Sequence, residues 1–471
     1  MQKALALHSR YNPTAEAERY INSLKLNEGI RFFILIEPGM GYLVSCLRKI
    51  NPGAKIISLY AENPPESIPC ENNADAFWSP GSDTDMSSFL ERQIPDVRAE
   101  AIKMIEWRPA HAIYGGAYRN LLTEAARFIK QTDACARTVE QFGRRWFRNF
   151  FRNINLLSKI ITPLSFSFPV LVTGAGPGLE NTLPVIRQRK EDVYIIAVSS
   201  SAAALLAGNI KPDLVISVDG GGWASLHLYE CLRGRQSTDF AFNLTAAIPS
   251  QCAMSPVLVI SDGSVWQNLL LCALQIPFIT LPQRGTVSAS ALDLAFAVSS
   301  GSVYFTGVDL SNYDIRSHAR PYSFDRIWDE KASRLCPVYS QEYSRSGSIR
   351  DGGSHSIYAS WFRHQLASYP KRLFSLGSNS EVFRRLETAS IVNTAGNTKK
   401  PVPEYKTLNH SEKPSVTATR VLKQALLETT GSQLAKSLYD ELTVLLLPGQ
   451  SPSMPELVDA VSKLASPREL L

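Results

Sequence analysis

Between Val170 and Ala319 the chain repeats one local pattern in four segments: an apolar run of strand length that stops in small or polar residues. The segments are PVLVTGAGPGLEN, VYIIAVSSSAAALL, IKPDLVISVDGGG and RGTVSASALDLAFAVSSGSVYFTGVDL. Short, continuous apolar runs fit strands buried on both faces, and helical stretches fall between most of them. Alternating elements of this kind predict an α/β fold with a largely parallel, Rossmann-like sheet. Ligands in such sheets gather at the carboxyl ends of the strands, where the small and polar residues of this chain fall. Strands are expected at Val170–Val172, Val193–Val198, Leu214–Val218, Phe240–Asn243, Val257–Ile260, Phe278–Leu281 and Val303–Thr306.

A chain of 471 residues is too long for one ordinary core. Residues 1–130 read as a smaller α/β domain. The strand Phe32–Ile36 runs into Gly39 and Gly41, a helix follows, and the next strand ends at Glu62. Glu37, Gly39, Gly41 and Glu62 are either a ligand site or a turn whose backbone needs glycine. Asp83 and Asp85 match the D-x-D spacing of metal-binding loops, but they sit in a polar stretch with no flanking strand and read as a chance match. Residues 131–165 read as a helical connector, 166–392 as the larger α/β domain, 393–418 as a polar linker with three prolines, and 419–471 as a C-terminal helical region. Within the connector, Arg144, Arg145, Arg148 and Arg152 surround Trp146 and Phe147. This predicts a helix that docks its aromatic face while its arginines meet water or acidic groups, in preference to a nucleic-acid surface.

Hydrophobic residues make up 44% and charged residues 20%, the balance of a water-soluble globular protein. No apolar run approaches the roughly 20 residues of a membrane span. The opening MQKALALHSRYNP is too short in apolar residues for a secretory leader, so the expected location is cytoplasmic. The seven cysteines are scattered without C-x-x-C or zinc spacing, which predicts reduced thiols. No metal motif stands out, and a metal-independent reaction needing no cofactor beyond its substrates is the expectation.

The candidate site is built from the strand ends. Gly174, Gly176 and Gly178 allow close backbone approach to a ligand, and Pro177 suits a first helical position, with outward N–H groups favouring an anion. A dinucleotide fingerprint would place glycine at 179, where this chain has Leu179, and would end the second strand in an acid, where it has Ser199, Ser200 and Ser201. Both departures speak against NAD. The three hydroxyls suit ligand contact or helix capping, capping above all for Ser201. Asp213 enters the third strand, and Asp219 ends it beside Gly220, Gly221 and Gly222. Gly285, Thr286 and Ser288 form a polar turn that opens the helix carrying Asp293. Gly307 and Asp309 end the last strand, and a loop with Tyr313, Asp314, His318, Arg320, Tyr322 and Asp325 follows. His318 is the candidate general base, and Arg320 or Tyr322 the group that holds a leaving phosphate.

Taken in order, GAGPGLEN, IKPDLVISVD, and TVSASALDLA followed by VYFTGVDL and SHA resemble the motility accessory factor (Maf) family, with its hydroxymethylpterin diphosphokinase MptE-like central domain. SRYNPTAEAERYI, the strand with GMGY and FGRRWFRNFFRNI extend the likeness over most of residues 1–392. The central domain is also similar to bacterial sialyltransferases, which share a glycine-rich first turn, a polar second strand end and a G-x-D strand before the catalytic loop. The resemblance implies transfer of a nonulosonic acid, of pseudaminic or legionaminic type, from its CMP form to Ser or Thr of flagellin. Flagellin and the CMP-sugar are then the partners, with a homo-oligomer left open. It implies that Gly174, Gly176, Pro177 and Gly178 approach the nucleotide, Thr286 and Ser288 the sugar or phosphate, and that Asp219, Asp309 and His318 lie at the reacting centre. Where the family has Ser-Leu-Asp, this chain has Gly178, Leu179 and Glu180, so a phosphate contact there passes to backbone N–H groups or Asn181. Two other readings compete: a pterin diphosphokinase using ATP and Mg²⁺ held by Asp219 and Asp309, and a non-catalytic flagellin-binding assembly factor.

Overall fold

A computed structural model describes the chain except residues 1–5, 28, 65–67, 69–72, 95–96, 234–237, 311–314, 342, 344–357, 360, 363–364, 367–368, 378–382, 384–385, 392–398, 429–431 and 467–471. Tyr313 and Asp314 of the candidate loop therefore lie outside the described residues. The chain divides into two compact units, Met1–Gln141 and Phe142–Leu471. Among the described residues, no helix is long and apolar enough to cross a membrane.

Unit 1 holds α1 (Pro13–Ser23), β1 (Phe32–Ile36), α2 (Tyr42–Ile50), β2 (Lys55–Leu59), β3 (Ala76–Trp78), α3 (Met86–Gln93), β4 (Ile102–Glu106) and the first part of α4 (Arg108–Asn153). Its sheet runs β3-β2-β1-β4, all parallel. The β1 run FFILI is buried at every position because it lies between two strands and is covered on both faces. Asp85 caps α3, its carboxylate accepting from the Ser88 N–H at 3.0 Å. The helix α4 spans 46 residues and kinks at Gly115, so the connector expected from residue 131 begins well before it.

Unit 2 holds β5 (Lys159–Ile161), β6 (Val170–Thr173), α5 (Gly178–Arg189), β7 (Tyr194–Val198), α6 (Ala202–Ala207), β8 (Leu214–Ser217), α7 (Leu226–Leu232), β9 (Phe240–Asn243), β10 (Val257–Ser261), α8 (Val265–Ala273), β11 (Phe278–Thr280), α9 (Val287–Val298), β12 (Val303–Thr306), α10 (Asp325–Lys331), β13 (Leu373–Ser375), β14 (Tyr405–Thr407), α11 (Pro414–Glu428), α12 (Gln433–Leu446) and α13 (Met454–Ala465). The strands run β13-β12-β6-β7-β8-β9-β10-β5-β14, with β11 also on β10. All pairs are parallel except β14 with β5. From β6 the chain winds outward through β7 to β10, then returns through α9 to lay β12 on the other side of β6. The strand order therefore reverses between β6 and β12, the position where open α/β sheets place their ligand crevice.

The end of α4 belongs to unit 2 and acts as a polar clamp. Phe147, Phe150 and Phe151 are fully buried, and the first two pack on Trp266. Asn153 donates to the Leu244 and Ala246 carbonyls, both at 2.8 Å, and Asn149 to the Thr245 carbonyl at 2.9 Å. Arg152 bonds the Ile248 carbonyl, and Arg144 the Leu446 carbonyl. Arg148 bonds the Arg144 carbonyl one turn back, so three of the four arginines bind backbone oxygens, where acidic groups or water were expected. The C-terminal helices are part of this unit: Glu441 of α12 accepts from the Val265 and Trp266 N–H groups and caps α8. Asn153→Ala leaves two buried carbonyls without their donor and is expected to cost about 1–3 kcal/mol. A lowered midpoint in thermal unfolding checks it, and an unchanged midpoint refutes the clamp.

Candidate functional site

At the reversal point the two glycine loops meet each other. The Gly174 N–H donates to the Thr306 carbonyl at 2.8 Å, the Gly176 N–H to the Gly307 carbonyl at 2.7 Å, and the Ala319 N–H to the Ala175 carbonyl at 2.8 Å. Asp309 is only 3% exposed, and its carboxylate accepts from the Gly178 N–H at 2.6 Å. A side chain at Gly174 would collide with the Gly307 carbonyl, and one at Gly176 with the Asp309 carboxylate. A Cβ at position 178 would stand 2.5 Å from Asp309 Oδ1. These glycines exist so that the β12 loop can approach. The anion at the start of α5 is supplied by the protein itself.

Gly174, Gly176, Gly178, Gly307 and Asp309, expected at the nucleotide and the reacting centre, are here packed against one another. Asp309 joins the β6 and β12 loops. Asp219 does not meet it. The order β12-β6-β7-β8 puts three strand spacings, roughly 14 Å, between the two strand ends. Asp219 is exposed and takes the Gly221 N–H at 2.7 Å. Pro177 precedes the first helical residue as the cap position. Ser201 caps nothing: its buried hydroxyl sits 3.0 Å from the Thr173 carbonyl and 2.8 Å from that of Val198, tying β6 to β7. Ser199 is buried, Ser200 half-buried and Asn181 exposed. Asp213 lies at the opposite edge of the sheet, held by Lys400 at 2.7 Å. Thr286 and Ser288 open α9, which runs back across the sheet from the carboxyl edge, so both stand on the rim half-buried. Asp293 is paired with Arg284 at 2.5 Å.

What stands over the rim is an aromatic cluster. The His318 ring stacks on Tyr322 at 4.1 Å and 17°, and its Nδ1 lies 2.8 Å from Ser317 Oγ. Tyr322 touches Phe324 and Trp328, and His227 of α7 packs on Tyr322 at 5.3 Å and Phe324 at 5.1 Å. Trp223, 68% exposed, extends the cluster from the β8 loop. The loops after β8 and β12 are therefore bridged across the β6 and β7 ends. Glu180 holds the β12 loop down, bonding Arg316 Nη1 and the Arg320 N–H, both at 2.9 Å. The acid that replaces the family's Asp thus has a defined task. The Asp325 carboxylate accepts from the Tyr322 N–H at 2.8 Å. Behind the cluster a cleft of about 530 Å³ is lined by Leu206, Tyr229, Arg233, Tyr322, Ser323 and Arg326, among others. Neither Ser323 Oγ nor Asp325 Oδ1 has a hydrogen-bond partner among the described residues. The linear sequence gave no sign that His227 belongs here, because its partners lie on the β12 loop. Burial holds its imidazole down, to about 4, and keeps it neutral.

Fold and rim together define a doubly wound α/β protein with a polar, aromatic-roofed carboxyl edge. Residues 144–314 match the family described as "6-hydroxymethylpterin diphosphokinase MptE-like", and the central domain is MptE-like. An uncharacterised protein of Treponema pallidum (strain Nichols) is 30% identical over 279 residues, 59% of this chain and 60% of that one. A second from the same organism is 29% identical over 102 residues, 21% of this chain and 47% of the other. The chain thus spans about 60% of the first relative's length. Among solved structures, that of the MAf glycosyltransferase from Magnetospirillum magneticum AMB-1 aligns with 98% of this chain and 78% of its own, at 13% identity and a TM-score of 0.47. That likeness is too loose to carry an argument.

Two outcomes follow. Gly176→Ala forces a methyl group into the Asp309 carboxylate and is expected to cost about 1–3 kcal/mol. In urea unfolding its effect shrinks in an Asp309→Ala background if the two residues are coupled, and stays additive if they are not. His227 carries a folded-state pKa below its ordinary 6.5, so its contribution is intact above pH 6.5 and is lost as the pH falls toward 4, by roughly 2–3 kcal/mol. An acid transition in tryptophan emission across that window should vanish in His227→Phe. An identical profile in the variant would refute the assignment.

Proposed function

We propose that unit 2 is a glycosyltransferase that moves a nonulosonic acid from its CMP form to a Ser or Thr hydroxyl of flagellin. The observation that carries the reading is the bridged rim: His318, stacked on Tyr322, shares one carboxyl edge with Asp219, Ser200, Thr286 and Ser288. The motif order resembling motility accessory factors names the chemistry to test there. In the reaction the bond from the sugar's anomeric carbon to the phosphate oxygen breaks, and CMP leaves with the electron pair. The acceptor hydroxyl oxygen bonds that carbon and gives up its proton. His318 is the base for that proton, with its ring fixed by the stack and Ser317. Arg320 and the Tyr322 hydroxyl stabilise the departing phosphate. Asp219 faces the sugar.

The pterin diphosphokinase reading keeps a claim through the family description. It asks Asp219 and Asp309 to share Mg²⁺, and their strand ends stand roughly 14 Å apart with Asp309 already committed to Gly178. The chain is expected to bind CMP in calorimetry and, given CMP-pseudaminic or CMP-legionaminic acid, to add one sugar mass per site to flagellin. His318→Ala and Asp219→Ala should each slow transfer by on the order of 100-fold. Binding of ATP with Mg²⁺ but not CMP would favour the kinase. CMP-independent capture of flagellin with no mass change would favour an assembly factor.

A further inference from the structure

Unit 1 has its own reversal point, and none of its residues enters the reading above. In the order β3-β2-β1-β4 the chain leaves β1 through α2 toward β2, while β4 lies on the other side. The crevice between the β1 and β4 ends is where a ligand of such a sheet belongs. Glu37 ends β1 with a left-handed backbone (φ 50°) and is 2% exposed. Its carboxylate crosses to β2 and accepts the Ala61 N–H at 2.5 Å, which locks the floor of the crevice. Gly39 and Gly41, both at positive φ, form the turn into α2. Glu62 follows at the end of β2, exposed, about twenty residues beyond the turn, the position from which an acid holds ribose hydroxyls in nucleoside-binding sheets.

A second observation points to a ligand. Tyr118 of α4 is 1% exposed, and its hydroxyl has no hydrogen-bond partner among the described residues. It stands within electrostatic range of Glu37, Glu106, Arg108 and Tyr20, that is, in the β1/β4 crevice. A buried hydroxyl without a partner is costly unless something else bonds it. Phosphate does not fit. The Met40 N–H of the glycine turn is already taken by His8 Nε2 at 3.1 Å, and Leu7 and His8 fill the space beside Gly39. Three carboxylates, Glu37, Glu62 and Glu106, oppose a further negative charge. Glu62 and Glu37 sit close enough for Glu62 to help hold the Glu37 carboxyl up, at about 7, with burial the main cause.

We infer that unit 1 binds a ribonucleoside with a neutral or cationic 5′ substituent, its ribose diol on Glu62 and the substituent over Glu37 toward Tyr118. The site is independent of the transferase reading of unit 2. Calorimetry on the full chain with adenosine, S-adenosylmethionine and AMP tests it. Adenosine or S-adenosylmethionine should bind, AMP should be at least roughly tenfold weaker, and Glu62→Gln, a change at an exposed side chain, should weaken the nucleoside at least roughly tenfold. His8→Ala, which frees the Met40 N–H, should narrow the gap between adenosine and AMP. The inference is overturned by absence of binding to either nucleoside at about 1 mM, by AMP binding as tightly as adenosine, or by Glu62→Gln binding unchanged.

Discussion

One buried charge sets the architecture of the candidate site: the Asp309 carboxylate on the Gly178 N–H. A helix start presents unpaired N–H groups and partial positive charge, and in a doubly wound sheet these are aimed at the ligand crevice. Here an acid from the neighbouring strand takes that place. Because a carboxylate inside a protein must be matched by donors, its loop is drawn down until the β6 and β12 backbones bond each other. The loop that follows is thereby delivered over the rim, and Glu180, in the first turn of the same helix, anchors it a second time. His318 and Tyr322 have a defined place because these two acids do.

The other side of the rim is held by a different device. The β8 and β9 loops bend back on themselves and leave carbonyls buried, which need donors. The end of α4 provides them through Asn149, Arg152 and Asn153, on a helix face already fixed by three buried phenylalanines. Apolar burial supplies the attraction and the amides supply the register. The rim is thus held by backbone bonds where it meets the sheet and by side-chain ring contacts where the aromatic cluster spans it.

The strands of unit 2 were legible because each is an apolar run closed by small residues, and the expected limits differ from the observed ones by a residue at most. Of the three-residue strands β11 was legible too, but β3, β5, β13 and β14 were not, since so short a segment carries little periodicity and is ordered by its neighbours. The rim residues were legible as a set, but their contacts with one another were not. A glycine that admits a phosphate and a glycine that admits a distant loop look the same in one dimension, and Asp309 lies 131 positions from the N–H it bonds. His227 was invisible for the same reason. The C-terminal helices showed their amphipathic pattern, but not that Glu441 would cap α8.

Both units apply one solution at their reversal points. In each, the glycine turn after the first strand is covered by the chain itself: by Gly307 and Asp309 in unit 2, by Leu7 and His8 in unit 1. In each, a nearly fully buried acid, Asp309 or Glu37, crosses to the neighbouring strand end and bonds a backbone N–H. A turn closed in this way keeps few amides for a diphosphate: those of Gly174, Gly176 and Gly178 in unit 2 and of Met40 and Gly41 in unit 1 already have acceptors. On the two readings proposed above, ligand recognition is displaced outward, to side chains that ring the closed turn, Glu62 and Tyr118 in one unit and Asp219, His318 and Tyr322 in the other, which suits sugars and nucleosides better than bare polyphosphates.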